Sequence, residues 1–257
     1  MISFVIPCYI ATEELKQLTI RTIESMRCTS NVYIVCVDDG SPLDTGFMDG
    51  LADKTIHLEK NSGFAVASNT GLQYCIDNNF EYIGVANNDI EVFEGWIQEL
   101  VYPFTAYEDV GVTGLISSKE RMLEGKPIAE YKVPKRTQGG LLYTEYPSTN
   151  FMQSGGLLLS TRDVWLKVGL YDTDYLIGGE EDVALFHTMI MNGYKIVMSG
   201  YSCFWHKEGA TRWNDEVEAG YKEKNKAIEQ TNYDKFKEKW GWDIRTDGLR
   251  FTEDILE

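Results

Sequence analysis

Two groups of acids far apart in the chain carry the first chemical signal. Asp89 closes the apolar run Tyr82 to Ala86 and its Asn87-Asn88 extension, and Gly178-Gly179-Glu180-Glu181-Asp182 leads into an apolar helical pattern. A carboxylate at the carboxyl end of a buried strand stands where open α/β sheets bind ligands, the place for a metal ion or a phosphate. A carboxylate in the first turn of a helix meets free N–H groups and the positive end of the dipole, which should hold it ionised and ready to accept a proton. Each group also has a plainer use. Asn-Asn-Asp makes a turn, and an acidic first turn caps any helix. What separates the readings is the set of elements that would bring the two groups together.

Those elements alternate. Phe4 to Ile6 reads as a buried strand, and Ala11 to Met26 as a helix with Thr12 as N-cap. Val32 to Val37 is a second continuous apolar run that stops at Asp38-Asp39-Gly40-Ser41-Pro42, a turn composition. Thr55 to Leu58, a helix over Ala65 to Ile76 with Ser62 as a possible cap, and the strand Tyr82 to Ala86 follow. Further along come a helix over Glu94 to Tyr107, strands at Val110 to Leu115, Gly156 to Ser160 and Lys195 to Met198, and helices at Thr161 to Val168 and Val183 to Met191. Continuous apolar strands alternating with helices predict a mostly parallel sheet covered on both faces. The aperiodic stretch from Ser117 to Gln153 reads as a long functional loop or a small irregular hairpin region, in which Tyr131, Tyr143 and Tyr146 could touch a ligand. The tail from Asn214 to Trp240 is charged and helical, with Tyr221, Ile228, Tyr233, Phe236 and Trp240 available for docking.

Composition narrows the function classes. A formal net charge of -16 argues against a nucleic-acid partner, since phosphate neutralisation needs a basic face; Lys132 to Arg136 is the one local basic stretch. Five cysteines without C-x-x-C spacing suggest neither a disulfide framework nor a zinc site, and point to the cytoplasm. The start of the chain enters a strand pattern with no basic region or cleavage site, and the longest apolar runs are strand-sized, so neither a signal peptide nor a transmembrane segment is expected. The sequence does not fix an oligomeric state.

Four polar clusters follow strands in the first half: Pro7-Cys8-Tyr9, Asp38-Asp39-Gly40-Ser41, Asn61-Ser62-Gly63-Phe64 and Asn87-Asn88-Asp89. Together they describe a nucleotide-sized cleft. With Val5-Ile6-Pro7-Cys8-Tyr9, Val37-Asp38-Asp39-Gly40-Ser41, Asn61-x-Gly63-Phe64-Ala65-x-Ala67-x-Asn69-x-Gly71, Asn87-Asn88-Asp89, Gly155-Gly156 and Glu181-Asp182 in order, the chain resembles the GT-A fold glycosyltransferases. The resemblance is to inverting family 2, in particular its rhamnosyltransferase-like members. It implies one domain over 1–213, with a Rossmann-like nucleotide-sugar half over about 1–116 and an acceptor half over about 117–213. A helical extension, 214–257, would pack on that domain.

The resemblance also implies roles. Pro7, Tyr9 and Asp38 or Asp39 would cradle base and ribose of a UDP- or dTDP-sugar, with Asp39 the better candidate to accept from a pyrimidine N–H. Asn61, Gly63 and Asn69 would run under the nucleotide, and Asn88 and Gly156 would complete the donor site. Asp89 would bind a divalent cation, Mn²⁺ or Mg²⁺, with His206 as a late metal or diphosphate ligand and Glu91 in reserve. Asn87 stands where the family's D-x-D motif has its first acid, so Asp89 must supply the charge. Asp182 resembles the base that deprotonates the acceptor hydroxyl, and Glu181 would contact hydroxyls of a saccharide or glycolipid acceptor. His57 and His187 read as structural, and some of Trp96, Trp165, Trp205, Trp213, Trp240 and Trp242 could stack on a sugar face. Asn87 and Asn88 in place of acids would equally suit a non-catalytic nucleotide-sugar binding module. A sugar nucleotidyltransferase is the weaker alternative, because the first strand is followed by no Gly-rich basic loop.

Overall fold

A computed structural model describes residues 1–118, 155–207 and 209–241. Its strands are β1 (Ile2–Cys8), β2 (Tyr33–Asp38), β3 (Lys54–His57), β4 (Tyr82–Ala86), β5 (Ile90–Val92), β6 (Val110–Ser118), β7 (Leu157–Thr161) and β8 (Lys195–His206). They form one sheet in the order β3-β2-β1-β4-β7-β6-β8-β5. β1, β2, β3 and β4 run parallel, and β6 runs parallel to β8. β7 is antiparallel to both β4 and β6, and β5 is antiparallel to β8. The sheet is therefore mostly parallel, as its continuous apolar strands predict.

Strand alternation divides the core into two layers. Val5, Val35, Val37, Ile83 and Val85 face α3 (Phe64–Asp77), α5 (Arg162–Val168) and α6 (Glu181–Met191). Phe4, Ile6, Ile34 and Cys36 face α1 (Glu13–Thr29), α2 (Phe47–Leu51) and α4 (Trp96–Ala106). Each fully buried side chain of this size contributes roughly 1.5–3 kcal/mol. α3 sits directly on β1 and β2 because Gly71 has no side chain: a Cβ there would lie 2.3 Å from a Val5 methyl. Thr12 caps α1 as expected, accepting from the Leu15 N–H at 3.2 Å. The three-residue β5 was too short to read from pattern, as was α2. The exposed backbone edge of β5 is met by hydroxyls of α1: Thr22 both accepts from and donates to Ile90, and Ser25 accepts from Val92.

Several boundaries shift. β8 is one twelve-residue strand reaching His206 rather than ending at Met198. α6 starts at Glu181, two residues early, so the acidic pair lies inside its first turn. Ser62 does not cap α3; Gly63 does, at φ +93, without a side-chain bond. The tail becomes helical at Tyr221 as α7 (Tyr221–Trp240), with Tyr221, Tyr233 and Phe236 buried. Trp96, Trp165 and Trp205 are core residues rather than sugar platforms. Of the aperiodic stretch only Ser117 and Ser118 are described, at the end of β6; Lys132 to Arg136, Tyr131, Tyr143, Tyr146 and Trp242 lie outside the described residues. Among the described residues no helix is long and apolar enough to cross a membrane, and Cys8, Cys28, Cys36 and Cys75 are free thiols.

Candidate active site

Because β3, β2, β1 and β4 are parallel, the loops that follow them emerge at one edge of the sheet. They border a cleft of about 430 Å³ lined by Pro7, Tyr9, Asp39, Asn61, Gly63, Asn87, Asn88 and Asp89 from that edge. Gly155, Gly156, Glu181, Asp182, His206, Arg212, Trp213 and, from α7, Tyr221, Asn225 and Glu229 complete it. Asp39, Asp89, Glu181, Asp182 and Glu229 bring five carboxylates to this lining, against the single guanidinium of Arg212. A diphosphate entering so acidic a cleft would need a cation beside it.

At the strand ends the two adjacent acids differ. Asp39 accepts from the Ser62 and Gly63 N–H groups at 2.7 and 2.8 Å, which fixes the glycine turn under the cleft. Burial pushes its carboxyl up, those two bonds hold it back, and the Asp38 charge adds to the rise. Asp38, expected as an alternative base ligand, does not line the cleft. Its oxygens are taken by the Ser41 N–H, the Thr45 hydroxyl and His57 Nδ1. Burial pushes Asp38 up as well, but the bonds from Ser41, His57 and Thr45 outweigh it and hold its carboxyl below the usual range. His57 is thus structural, as expected.

Asn69 does not line the cleft either. It clamps the backbone of Tyr171, donating to its carbonyl at 2.8 Å and accepting from its N–H at 3.0 Å. Asn88 lines the cleft, with its amide anchored on the Thr19 hydroxyl at 2.9 Å. Glu91 is no reserve metal ligand: it is 2% exposed and pairs with Arg21 at 2.9 Å.

Asp89 and His206 meet at the cleft, Oδ1 to Nε2 at 3.1 Å. β5–β8 pairing makes this possible, since Ile90 lies opposite His206 and the Lys207 N–H donates to the Asp89 carbonyl at 3.0 Å. Their separation matches adjacent corners of an octahedron with bonds of about 2.1 Å, so the pair fits a hard divalent cation. Asn87 places its amide nitrogen 3.2 Å from the same imidazole nitrogen, and its Oδ1 is buried without a hydrogen-bond partner among the described residues. No cluster of three His, Cys, Asp or Glu suited to a metal occurs among the described residues, so substrate oxygens and water would have to complete the shell.

Glu181 and Asp182 sit at the start of α6 on a loop with left-handed backbone at Ile177, Gly179 and Glu180. Glu181 is 6% exposed, and its Oε2 has no hydrogen-bond partner among the described residues. Burial and the Asp182 charge, opposed by Arg212 and the Glu181 and Gly179 N–H groups, push its carboxyl up to about 7. Asp182 is raised too: burial outweighs the Val183 N–H at 2.8 Å, Arg212 and the Gly155 N–H. Desolvation thus outweighs the helix terminus here and raises a carboxyl that the terminus alone would lower. Gly155 is needed for the approach, since a Cβ there would lie 2.5 Å from Asp182 Oδ2.

The sequence reading missed Arg212, Tyr221, Asn225 and Glu229. Arg212 pairs with Glu229 at 3.7 Å, and Trp213 packs over Gly209. A usable signal was present: Tyr221, Asn225 and Glu229 recur every four residues on one face of α7, and buried asparagines at 225 and 232 are seven apart. His187, against Trp240 and Phe236, is structural.

The family model described as Glycosyl transferase family 2 matches residues 3–163. Among solved structures, the fold is similar to GalNAc-T7 crystallised with UDP, GalNAc and Mn²⁺, with a TM-score of 0.62 at 18% identity over 80% of this chain and 43% of that one. It is also similar to S. aureus TarS, with a TM-score of 0.56 at 12% identity over 90% of this chain and 43% of that one. This chain thus spans less than half the length of either, and at these identities the likeness is one of fold. No curated protein gives a significant sequence match.

Proposed function

This chain belongs to glycosyl transferase family 2, and from that premise we propose that it moves a sugar, with inversion, from a UDP- or dTDP-sugar to a hydroxyl of a saccharide or glycolipid. The observation that carries the reading is the convergence on one cleft of Asp182, the Asp89–His206 pair and the loops after β1 to β4. Pro7, Tyr9, Asp39, Asn61 and Gly63 would bind the nucleoside end, with Asn88 and Gly156 further along the donor. Asp38 and Asn69, by their hydrogen bonds, would shape the donor site rather than touch it.

In the reaction the acceptor oxygen forms a bond to the anomeric carbon as the bond to the diphosphate oxygen breaks on the opposite side. Asp182 takes the hydroxyl proton as that happens. Its raised basicity, from burial, suits a group that must accept a proton near neutral pH. Glu181 would hold an acceptor hydroxyl, and Arg212 is the guanidinium available to the diphosphate. Asp89 and His206 would hold Mn²⁺ or Mg²⁺, whose charge, when bound, offsets that of the leaving diphosphate. Mn²⁺ accompanies UDP in the GalNAc-T7 structure, which supports the choice of metal. The rhamnosyltransferase-like subtype rests on the motifs, a cytoplasmic location on the cysteine pattern, and the division at residues 116 and 213 on the order of elements.

Thermal stabilisation by nucleotide sugars, each with and without Mn²⁺, is the first test. The expected result is a metal-dependent rise in Tm with one pyrimidine-diphosphate sugar, and transfer from that donor which Asp182→Asn abolishes. Binding without hydrolysis or transfer at any metal concentration would favour a non-catalytic binding module instead.

A further inference from the structure

The loop that carries the acidic pair is held in an unusual shape from two sides. Ile177 has φ +56, a left-handed conformation rare for a β-branched residue, followed by Gly179 at +110 and Glu180 at +70. Such a run persists only where its surroundings over-determine it. On one side the Phe64 N–H, at the start of α3, donates to the Ile177 carbonyl at 2.8 Å. On the other side stands one side chain of α7. Asn232 is fully buried. Its amide nitrogen donates to three carbonyl groups of the loop, Leu176 at 2.9 Å, Gly179 at 3.0 Å and Gly178 at 3.3 Å, leaving the Ile177 carbonyl to Phe64, and its oxygen accepts from the Leu176 N–H at 3.0 Å. An amide offers a donor pair and an acceptor at one point, so no apolar or acidic side chain of similar size can replace it.

We propose that Asn232 is a positioning residue for the transfer reaction: from the C-terminal helix it clasps the Leu176–Glu180 loop in the shape that presents Glu181 and Asp182 to the cleft. The inference rests on the functional reading above for what the loop does, but not for how the loop is held. Phe236 against Tyr175, Val183 and Ala184, with the Lys239–Asp172 pair at 2.7 Å, docks α7 beside the same loop, so the clasp is supported along the helix.

The test compares Asn232→Leu, Asn232→Asp and, as a control on the same helix, Lys226→Ala, whose partner Glu223 lies on α7 itself. Amide hydrogen exchange follows the loop, calorimetry measures UDP binding with Mn²⁺, and steady-state kinetics measures transfer. For both Asn232 variants, exchange at residues 176–183 should quicken at least about 10-fold while β1 and β4 stay protected. UDP affinity should stay within about threefold while kcat falls roughly 10- to 100-fold, the signature of a displaced base. Lys226→Ala should leave loop exchange unchanged. If Asn232→Leu does not fold, Asn232→Asp, which keeps the acceptor for Leu176, decides the matter. Unchanged loop exchange in a folded variant, or unchanged kcat with a loosened loop, overturns the proposal. Exchange needs no turnover, so a wild-type protein without transferase activity would sink the reaction and leave the clasp separately testable.

Discussion

At the end of β2, Asp38 and Asp39 have their oxygens met by backbone N–H groups, hydroxyls and a histidine. At the start of α6, Glu181 and Asp182 also meet backbone N–H groups and Arg212, yet burial outweighs these and raises both, as it raises Asp39. The first arrangement uses charge to build: two carboxylates fix the turns that shape a pocket. The second sets two adjacent carboxylates in the wall of the cleft beside one arginine, where desolvation makes a carboxylate a better proton acceptor. The same residue type thus serves as scaffold on one wall and, on the function proposed above, as proton acceptor on the other.

The sharpest way to break that contrast is to neutralise one acid on each wall. Asp182→Asn should lower kcat by about 10³-fold with donor affinity nearly unchanged, because only the proton acceptor is lost. Comparable loss of donor affinity would show that Asp182 belongs to the binding wall. Asp39→Asn should do the reverse, weakening donor binding roughly 10- to 100-fold as the Ser62–Gly63 turn loosens, with the smaller change in kcat. Calorimetry beside steady-state kinetics separates the two. Gly155→Ala should cost roughly 10-fold in kcat by pushing Asp182 aside, and donor affinity should again hold.

The smallest expected effect is on stability. A carboxyl whose folded value is raised binds its proton more tightly when folded than when unfolded. Glu181 therefore makes the protein lose stability as pH rises from its unfolded value, near 4.5, through about 7. Glu181→Gln removes that penalty, on the order of 1–3 kcal/mol. The Tm difference between pH 5 and pH 8 should narrow in the variant, and an unaltered difference would mean Glu181 is not held neutral.

The sheet and the donor side of the cleft were legible because a parallel strand with helices on both faces leaves one place for its polar exit residues. Asn87 to Asp89 could be placed from pattern for that reason. Asp38 and Asn69 turn to other protein groups rather than to the cleft, which a motif cannot announce: it fixes where a residue lies along the chain but not whether a neighbour has already taken its side chain. Glu91 was lost to Arg21 on the neighbouring helix α1, a pairing no periodicity announces. The helical face that brings Tyr221, Asn225 and Glu229 to the cleft looked like an ordinary docking face, and its buried asparagines were the cue. Gly155 and Arg212 reach Asp182 from irregular backbone, where spacing carries little information about contact.

The pairing of β5 with β8 has a consequence for how the molecule assembles. Asn87 and His206 touch across 119 residues of chain, and closing a loop of that length costs roughly 4 kcal/mol in entropy before any contact repays it. β1, β2 and β4 can pair through shorter connections, so we expect them to gain protection first in pulse-labelled refolding, with the Lys207 N–H to Asp89 bond among the late arrivals. Simultaneous protection of all these amides would disprove that order. On this route the fold's nucleus is complete while the Asp89–His206 pair is still open, so on the function proposed above affinity for Mn²⁺ would report on the last stage of folding.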